Sequence, residues 1–138
     1  MNSIEFKIPG KIQGKQRARV TKWGAYTPKN TVVYENLIKT IFIDKYGYSL
    51  STFDRAVKIV VKAFFKIPSN LSSKKADKLL NQYCLKTPDA DNILKSVSDG
   101  LNGVAYVDDK QICEMTCVKR WSKTEYAVIN LHYEKTQS

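Results

Sequence analysis

Four aspartates stand in two close pairs, and carboxylates at this spacing could bind a divalent cation. The first pair, Asp89 and Asp91, directly follows Pro88, and the second is Asp108 and Asp109. Crowded carboxylates repel one another, so they take up protons, separate or bind a cation. A hard cation such as magnesium prefers oxygen ligands, polarises phosphoryl oxygens and lowers the pKa of a bound water. The pairs therefore predict a metal site suited to phosphodiester hydrolysis, and helix capping with surface charge is the alternative interpretation.

A lysine accompanies the first acidic pair. Lys95 follows Asp91 by four residues and so lies one turn along the same predicted helix face. It could hold a carboxylate, or it could neutralise charge that builds up on a phosphate in the transition state. A surface ion pair of small energy is the alternative. Asp99, one further turn along, is interpreted as structural, and Glu114 as a surface residue.

The second group of candidate residues is a basic segment that spans residues 11–26. Five positive charges fall within the twelve residues 11–22. Lysine and arginine contacts to phosphate supply affinity for nucleic acid of any sequence. Trp23 and Tyr26 either stack on an exposed base or fold back onto the core, and core packing is the favoured interpretation. The candidate phosphate contacts are Lys11, Lys15, Arg17 and Arg19.

Composition agrees with a globular protein that binds a polyanion. The chain has 138 residues, 43% of them hydrophobic, and its 23 lysines and arginines outnumber its 13 acidic residues to give a net charge of +10. Such an excess indicates nucleic acid or an anionic membrane surface as the partner. No apolar run approaches the roughly 20 residues that span a bilayer, and no basic amphipathic helix supports peripheral binding. Nucleic acid is therefore the favoured partner, and a soluble basic surface with no polyanionic partner is the alternative interpretation.

The residues required for several other kinds of catalytic or cofactor site are missing from this sequence. Three cysteines, at positions 84, 113 and 117, cannot all pair within one chain, and no second Cys/His pair completes a zinc site. His132 is the only histidine, so no Ser–His–Asp or Cys–His site is supported. Neither a G-x-x-x-x-G-K-[ST] loop nor a G-x-G-x-x-G motif is present, which argues against nucleotide cofactors. Reduced thiols and the absence of a signal-peptide pattern predict a cytoplasmic protein.

The elements that position these residues follow from hydrophobic periodicity. Strands are predicted over 4–8, 56–67, 112–121 and 126–133, and residues 11–26 are predicted to form a loop or loose hairpin. Helices are predicted from a Thr27 cap to Gly47, over 72–82 and over 91–102. The predicted helical face of the first comprises Val33, Leu37 and Ile41, with Tyr34 and Ile38 beside them. The order predicts an α+β fold, a small mixed β-sheet with two main helices, as a single domain over residues 1–138.

Several blocks of this sequence resemble the RusA family of Holliday-junction resolvases. Residues 88–95, 99–103 and 106–112 are similar to its P-D-x-D-N-x-x-K, D-x-L-N-G and D-D-x-Q-V block. Residues 10–28 are similar to its basic G-K…K-x-R-P-R…Y-T-P segment, with Ala18 where the family has proline. That difference mainly affects the stiffness of the loop. Together the blocks cover nearly the whole chain in the family's order.

The resemblance implies a homodimeric endonuclease that cuts four-way DNA junctions with Mg²⁺, or with Mn²⁺ as a substitute. It implies that Asp89, Asp91 and Asp109 are the catalytic metal ligands and that Lys95 is the essential lysine. On a strand, Asp108 and Asp109 would face opposite ways, so that one of them misses the metal. The family pattern selects Asp109. Two alternatives stay open: a non-catalytic junction-binding module, and a metal-dependent phosphoesterase acting on flaps, RNA or small phosphates.

Overall fold

Apolar residues recur every second position in the strands of this structure and about every 3.6 positions in its helices. The computed structural model describes residues 3–48 and 55–135. The strands are β1 Ser3–Pro9, β2 Arg19–Thr21, β3 Gly24–Tyr26, β4 Arg55–Lys66, β5 Ile112–Ser122 and β6 Tyr126–Lys135. The helices are α1 Lys29–Tyr46, α2 Ser73–Leu79 and α3 Ala90–Leu101, and a short 3₁₀ helix spans Asp109–Gln111.

The main sheet is mixed, with strand order β1-β6-β4-β5. β6 is antiparallel to both β1 and β4, whereas β5 is parallel to β4. A parallel pair needs a crossover connection, and here the crossover contains α2 and α3. The predicted α+β fold with a small mixed sheet and two main helices is therefore confirmed.

The core lies where β4 and β6 face α1 and α3. On β4, alternate residues from Val57 to Phe65 are apolar and almost fully buried, as the predicted strand pattern required. The predicted stripe of α3 is confirmed for Val97 and Leu101, whereas Leu94 is only partly buried and Ile93 takes the inward position. The helical and strand residues that fill the centre are Tyr34, Ile38, Phe42, Ile93, Val97, Leu101, Ile129 and Leu131.

The predicted inward face of α1 is confirmed for Tyr34 and Ile38 and wrong for Val33, while Leu37 and Ile41 pack at the edge of the core. Tyr34, Ile38 and Phe42 are buried, whereas Val33 is 56% exposed. The helix turns this way because Phe42 packs edge-on against Phe6 of β1, with ring centroids 5.6 Å apart, and burying large rings contributes more than burying a valine.

The ends of α1 are only partly as predicted. The helix begins at Lys29 with Pro28 as its cap residue and no side-chain capping bond, so the predicted Thr27 cap is wrong. The predicted stop at Gly47 is confirmed, and this glycine has the positive φ of 69° that a side chain disfavours.

Two further predictions concern the thiols and membrane spans. All three cysteines are free: Cys84 is buried, Cys117 half-buried and Cys113 exposed. Within residues 3–48 and 55–135, the structure contains no helix with the length and apolar character needed to cross a membrane.

Candidate active site

The first acidic pair lies at the start of α3. Asp89 is the cap residue, with extended backbone at φ −64° and ψ 154°, but its side chain makes no capping hydrogen bond. Asp91 lies in the first helical turn, and both side chains are exposed. The positive end of the helix dipole favours negative charge at these positions. The Asp89 carboxylate is therefore not used for helix capping, and both carboxylates are accessible to a ligand.

Lys95 lies beside Asp91, as the spacing predicted. Its Nζ is 3.8 Å from Asp91 Oδ2, and the two side chains are 62% and 70% exposed. An ion pair this long and this open to water contributes little to stability. Lys95 can therefore turn toward a substrate phosphate at small cost.

The second acidic pair does not lie on a strand. Asp108 caps the 3₁₀ helix by accepting a hydrogen bond from the backbone N–H of Lys110 at 3.3 Å. A side-chain hydrogen bond between Asp108 and Asp109 lowers the pKa of Asp108 and raises that of Asp109. The strand on which these two carboxylates were expected to face opposite ways is absent here, because the backbone turns into a 3₁₀ helix before β5 begins.

The three predicted metal ligands do not form one cluster. Among the residues that the structure describes, no group of three or more His, Cys, Asp or Glu side chains is placed to hold a metal ion. Asp109 is close enough to Asp99, near the end of α3, for that carboxylate to raise its pKa. Asp91 is eight residues before Asp99, a separation of roughly 12 Å along the helix. A ligand role for Asp109 stays a prediction.

The donor chemistry of Asp89 and Asp91 alone still fits magnesium. Both offer exposed carboxylate oxygens at one helix end. Mg²⁺ commonly takes one or two protein carboxylates and completes its shell with water and substrate phosphate oxygens. These two residues would hold such an ion jointly with DNA.

The first part of the basic segment is docked firmly beside this pair. Four hydrogen bonds attach residues 12–16 to α1, to α3 and to the turn before β6, and they leave little freedom for this stretch. The donors and acceptors are Ile12 N to Glu125 Oε2 (2.9 Å), Ser96 Oγ to Gln13 O (3.1 Å), Lys15 N to Asn92 O (2.8 Å) and Gln16 N to Thr31 Oγ1 (3.2 Å).

This docking creates a cleft in which positive charge lies beside Asp89, the first member of the acidic pair. The cleft has a volume of about 380 Å³, and Lys11, Gln16, Lys86 and Asp89 are among its lining residues. A phosphodiester entering it would meet lysine side chains beside the Asp89 carboxylate. Lys86 and Gln16 were not among the predicted site residues. They are distant in sequence, and only the tertiary structure brings them to the same cleft.

The four predicted phosphate contacts differ in their surroundings. Lys11, Arg17 and Arg19 are exposed. Lys15 instead bridges two helices, with its Nζ 2.8 Å from Glu35 Oε2 and 3.0 Å from Asp99 Oδ2. Burial lowers the pKa of Lys15, but hydrogen bonds to both carboxylates outweigh that and raise it above its ordinary value. Lys15 therefore anchors the basic segment to the protein itself.

The aromatics of the basic segment are not in the core. Trp23 is 86% exposed and Tyr26 is 51% exposed. The favoured prediction of core packing is therefore wrong for both, because the β2–β3 hairpin forms a sheet of its own away from the main sheet.

Comparison with known proteins identifies the family. Residues 9–132 match the family model described as endodeoxyribonuclease RusA, a span that includes every candidate residue named above. The chain belongs to the RusA family. It is also 35% identical over 132 residues to the uncharacterized protein YqaN of Bacillus subtilis (strain 168), an alignment that covers 89% of this chain and 91% of that protein. Membership in the RusA family implies an endonuclease of the Holliday-junction resolvase type.

Gly14 offers a test of the docked basic segment in this RusA-family protein. A Cβ at this position would lie 2.7 Å from Pro88 Cβ, closer than real Cβ atoms approach, and a tight 3.0 Å from Asn92 Cβ. We expect Gly14→Ala to push the segment away from Asp89 and to lower junction cleavage by on the order of 10²-fold, since a shift of about 1 Å can cost that much.

The measurement is the single-turnover cleavage rate, with circular dichroism to confirm that the variant is folded. Ala18→Ser, on the exposed part of the same segment, is the matched control and should cleave like wild type. A folded Gly14→Ala protein with an unchanged rate would contradict the proposed docking role.

Proposed function

We propose that this chain is a metal-dependent endonuclease that resolves four-way DNA junctions by paired, symmetric hydrolysis of phosphodiester bonds. The observation that carries the proposal is the cleft in which the basic segment lies beside Asp89, with Asp91 two residues further on in the first turn of α3. Positive charge holds the DNA backbone, and the adjacent carboxylates supply the oxygen ligands that Mg²⁺ or Mn²⁺ prefers.

Each candidate residue has a role in this proposal. Lys11, Arg17 and Arg19 contact DNA phosphates, and Lys15 holds the basic segment in place through its ion pairs with Glu35 and Asp99. Asp89 and Asp91 hold the metal. The family pattern adds Asp109 as a third proposed ligand, although the structure does not group it with the other two. When bound, the metal polarises the scissile phosphate and lowers the pKa of a water molecule.

Lys95 acts on the charge of the reacting phosphate. Its ammonium group is exposed and weakly paired with Asp91, so it can approach a phosphate bound at the start of α3. A positive charge placed there stabilises the extra negative charge that develops in the transition state.

A homodimer is part of the same proposal. A four-way junction has approximate two-fold symmetry, and two copies related by a two-fold axis would present two cleavage sites to opposite strands. We also propose that residues 1–138 form one nuclease domain in each subunit. The free thiols favour a reducing compartment such as the cytoplasm.

The decisive experiment is cleavage of a synthetic four-way junction carrying a different fluorophore on each strand. With Mg²⁺ or Mn²⁺ we expect nicks at symmetric positions on one pair of opposite strands, and none in EDTA. A 5′ flap and an intact duplex of the same arm sequence serve as comparison substrates. Faster flap cleavage would favour a flap nuclease, and junction binding without nicks in either metal would favour a non-catalytic binding module.

A further inference from the structure

The β2–β3 hairpin projects from the protein as a separate unit. Its two strands pair with each other, Arg19 opposite Tyr26 and Thr21 opposite Gly24, and form a two-stranded sheet of their own. Thr21 Oγ1 accepts a hydrogen bond from the backbone N–H of Trp23 at 3.2 Å and donates one to Gly24 O at 3.1 Å. The turn that carries Trp23 is therefore held in a defined shape.

Trp23 at this turn presents its ring to solvent. It is 86% exposed, and Val20 on the same hairpin is 82% exposed. A tryptophan usually gains free energy by burying its ring, so an exposed one on a formed turn indicates a contact surface. None of the hairpin residues belongs to the hydrophobic core or to the partly buried hydrophobic residues packed against it.

A lysine lies over the ring, and two arginines belong to the same segment. Lys22 Nζ lies 5.0 Å from the centroid of the Trp23 ring, and the exposed side chains of Arg17 and Arg19 lie on the same segment. An exposed aromatic face bordered by cations matches a nucleotide, because the ring can stack on a base while the cations contact the flanking phosphates.

We propose that Trp23 stacks on a base at the branch point, so that the hairpin distinguishes branched DNA from intact duplex. The inference rests on the proposed function, which supplies branched DNA as the substrate. Inside a duplex both faces of each base are covered by neighbouring bases. Where arms meet, a terminal base pair exposes a face that an aromatic ring can cover. Trp23 is a specificity-determining residue in this proposal and takes no part in bond cleavage.

The test compares binding to a fluorescein-labelled four-way junction and to a duplex of equal length, in EDTA so that no strand is cut. We expect Trp23→Ala to weaken junction binding about tenfold, within the range for loss of one aromatic–base stack, and to change duplex binding less than twofold. Trp23→Phe keeps an aromatic face and should recover most of the affinity. Arg17→Ala should weaken binding to both DNAs alike, because it removes a phosphate contact.

Val20→Ala is the matched control, since it removes an exposed apolar side chain from the same hairpin without removing a ring. A junction labelled with 2-aminopurine at the point of strand exchange should change its fluorescence with wild type and not with Trp23→Ala. Equal junction affinity of Trp23→Ala and wild type overturns the proposal, as does an equal loss on junction and duplex.

A further possible result is that the Trp23 ring contacts a second copy of the chain and not DNA. If sedimentation shows that Trp23→Ala changes the oligomeric state, the ring belongs to a subunit contact and the proposal is wrong. Because binding in EDTA is independent of cleavage, failure of this inference differs from failure of the proposed nuclease activity, which would appear as wild type that binds junctions and never cuts them.

Discussion

Asp91→Asn should abolish junction cleavage while junction binding persists. The asparagine has the same shape but removes the charged oxygen that Mg²⁺ prefers. We expect the cleavage rate to fall by at least on the order of 10³-fold, as when a group acting on the charged transition state is lost. The fold should survive, because the side chain is 70% exposed and its pairing with Lys95 is long. Loss of a favourable charge at the helix start should cost only about 0.3–1 kcal/mol.

The measurement is single-turnover cleavage with Mg²⁺, alongside junction affinity in EDTA and the melting temperature. Glu114→Gln is the matched control, because Glu114 is also an exposed carboxylate in an ion pair, 2.8 Å from Lys58 Nζ. It should cleave at the wild-type rate. Strong metal-dependent cleavage by Asp91→Asn would remove the acidic pair from the proposed mechanism.

Substitutions of the adjacent residues Asp108 and Asp109 should differ widely in their effect on the cleavage rate. We expect Asp109→Asn to lower cleavage by on the order of 10²–10³-fold and Asp108→Asn to remain within a few-fold of wild type. Asp108 caps the 3₁₀ helix, and asparagine caps as well as aspartate does. Asp108 and not Asp109 is the cap residue, and the metal-ligand role proposed for Asp109 comes from the family pattern.

Stability and activity should move in opposite directions for Asp109→Asn. The hydrogen bond and repulsion with Asp108, together with the Asp99 charge, raise the pKa of Asp109 in the folded protein. A carboxyl whose pKa is raised by folding destabilises the native state at pH values above its unfolded pKa. Removing this carboxylate should therefore increase the free energy of unfolding slightly at neutral pH, while cleavage falls.

Chemical denaturation at pH 7 and single-turnover cleavage test this pair of effects. A stable Asp109→Asn protein that cuts at the wild-type rate would show that Asp89 and Asp91 suffice. Loss of activity in Asp108→Asn instead would show that the family pattern assigns the wrong member of the pair.

Local sequence patterns were enough to predict several elements of this structure. The alternation along β4 and the 3.6-residue period of α3 depend on neighbours within a few positions, so sequence alone predicted both elements. For the same reason the sequence predicted that Lys95 lies beside Asp91, since side chains four positions apart on a helix are neighbours on one face. The basic charge and the family motifs likewise need no tertiary information.

Tertiary structure decided what depends on contacts between distant segments. Periodicity cannot select between two adjacent apolar stripes on α1, and the packing of Phe42 against Phe6 selected one. Lys15 pairs with Glu35 and Asp99 only because α1 and α3 lie side by side. Composition likewise does not show whether an aromatic faces the core or solvent, because that depends on whether its strand joins the main sheet. The hairpin of Trp23 does not join it, and this left the ring exposed.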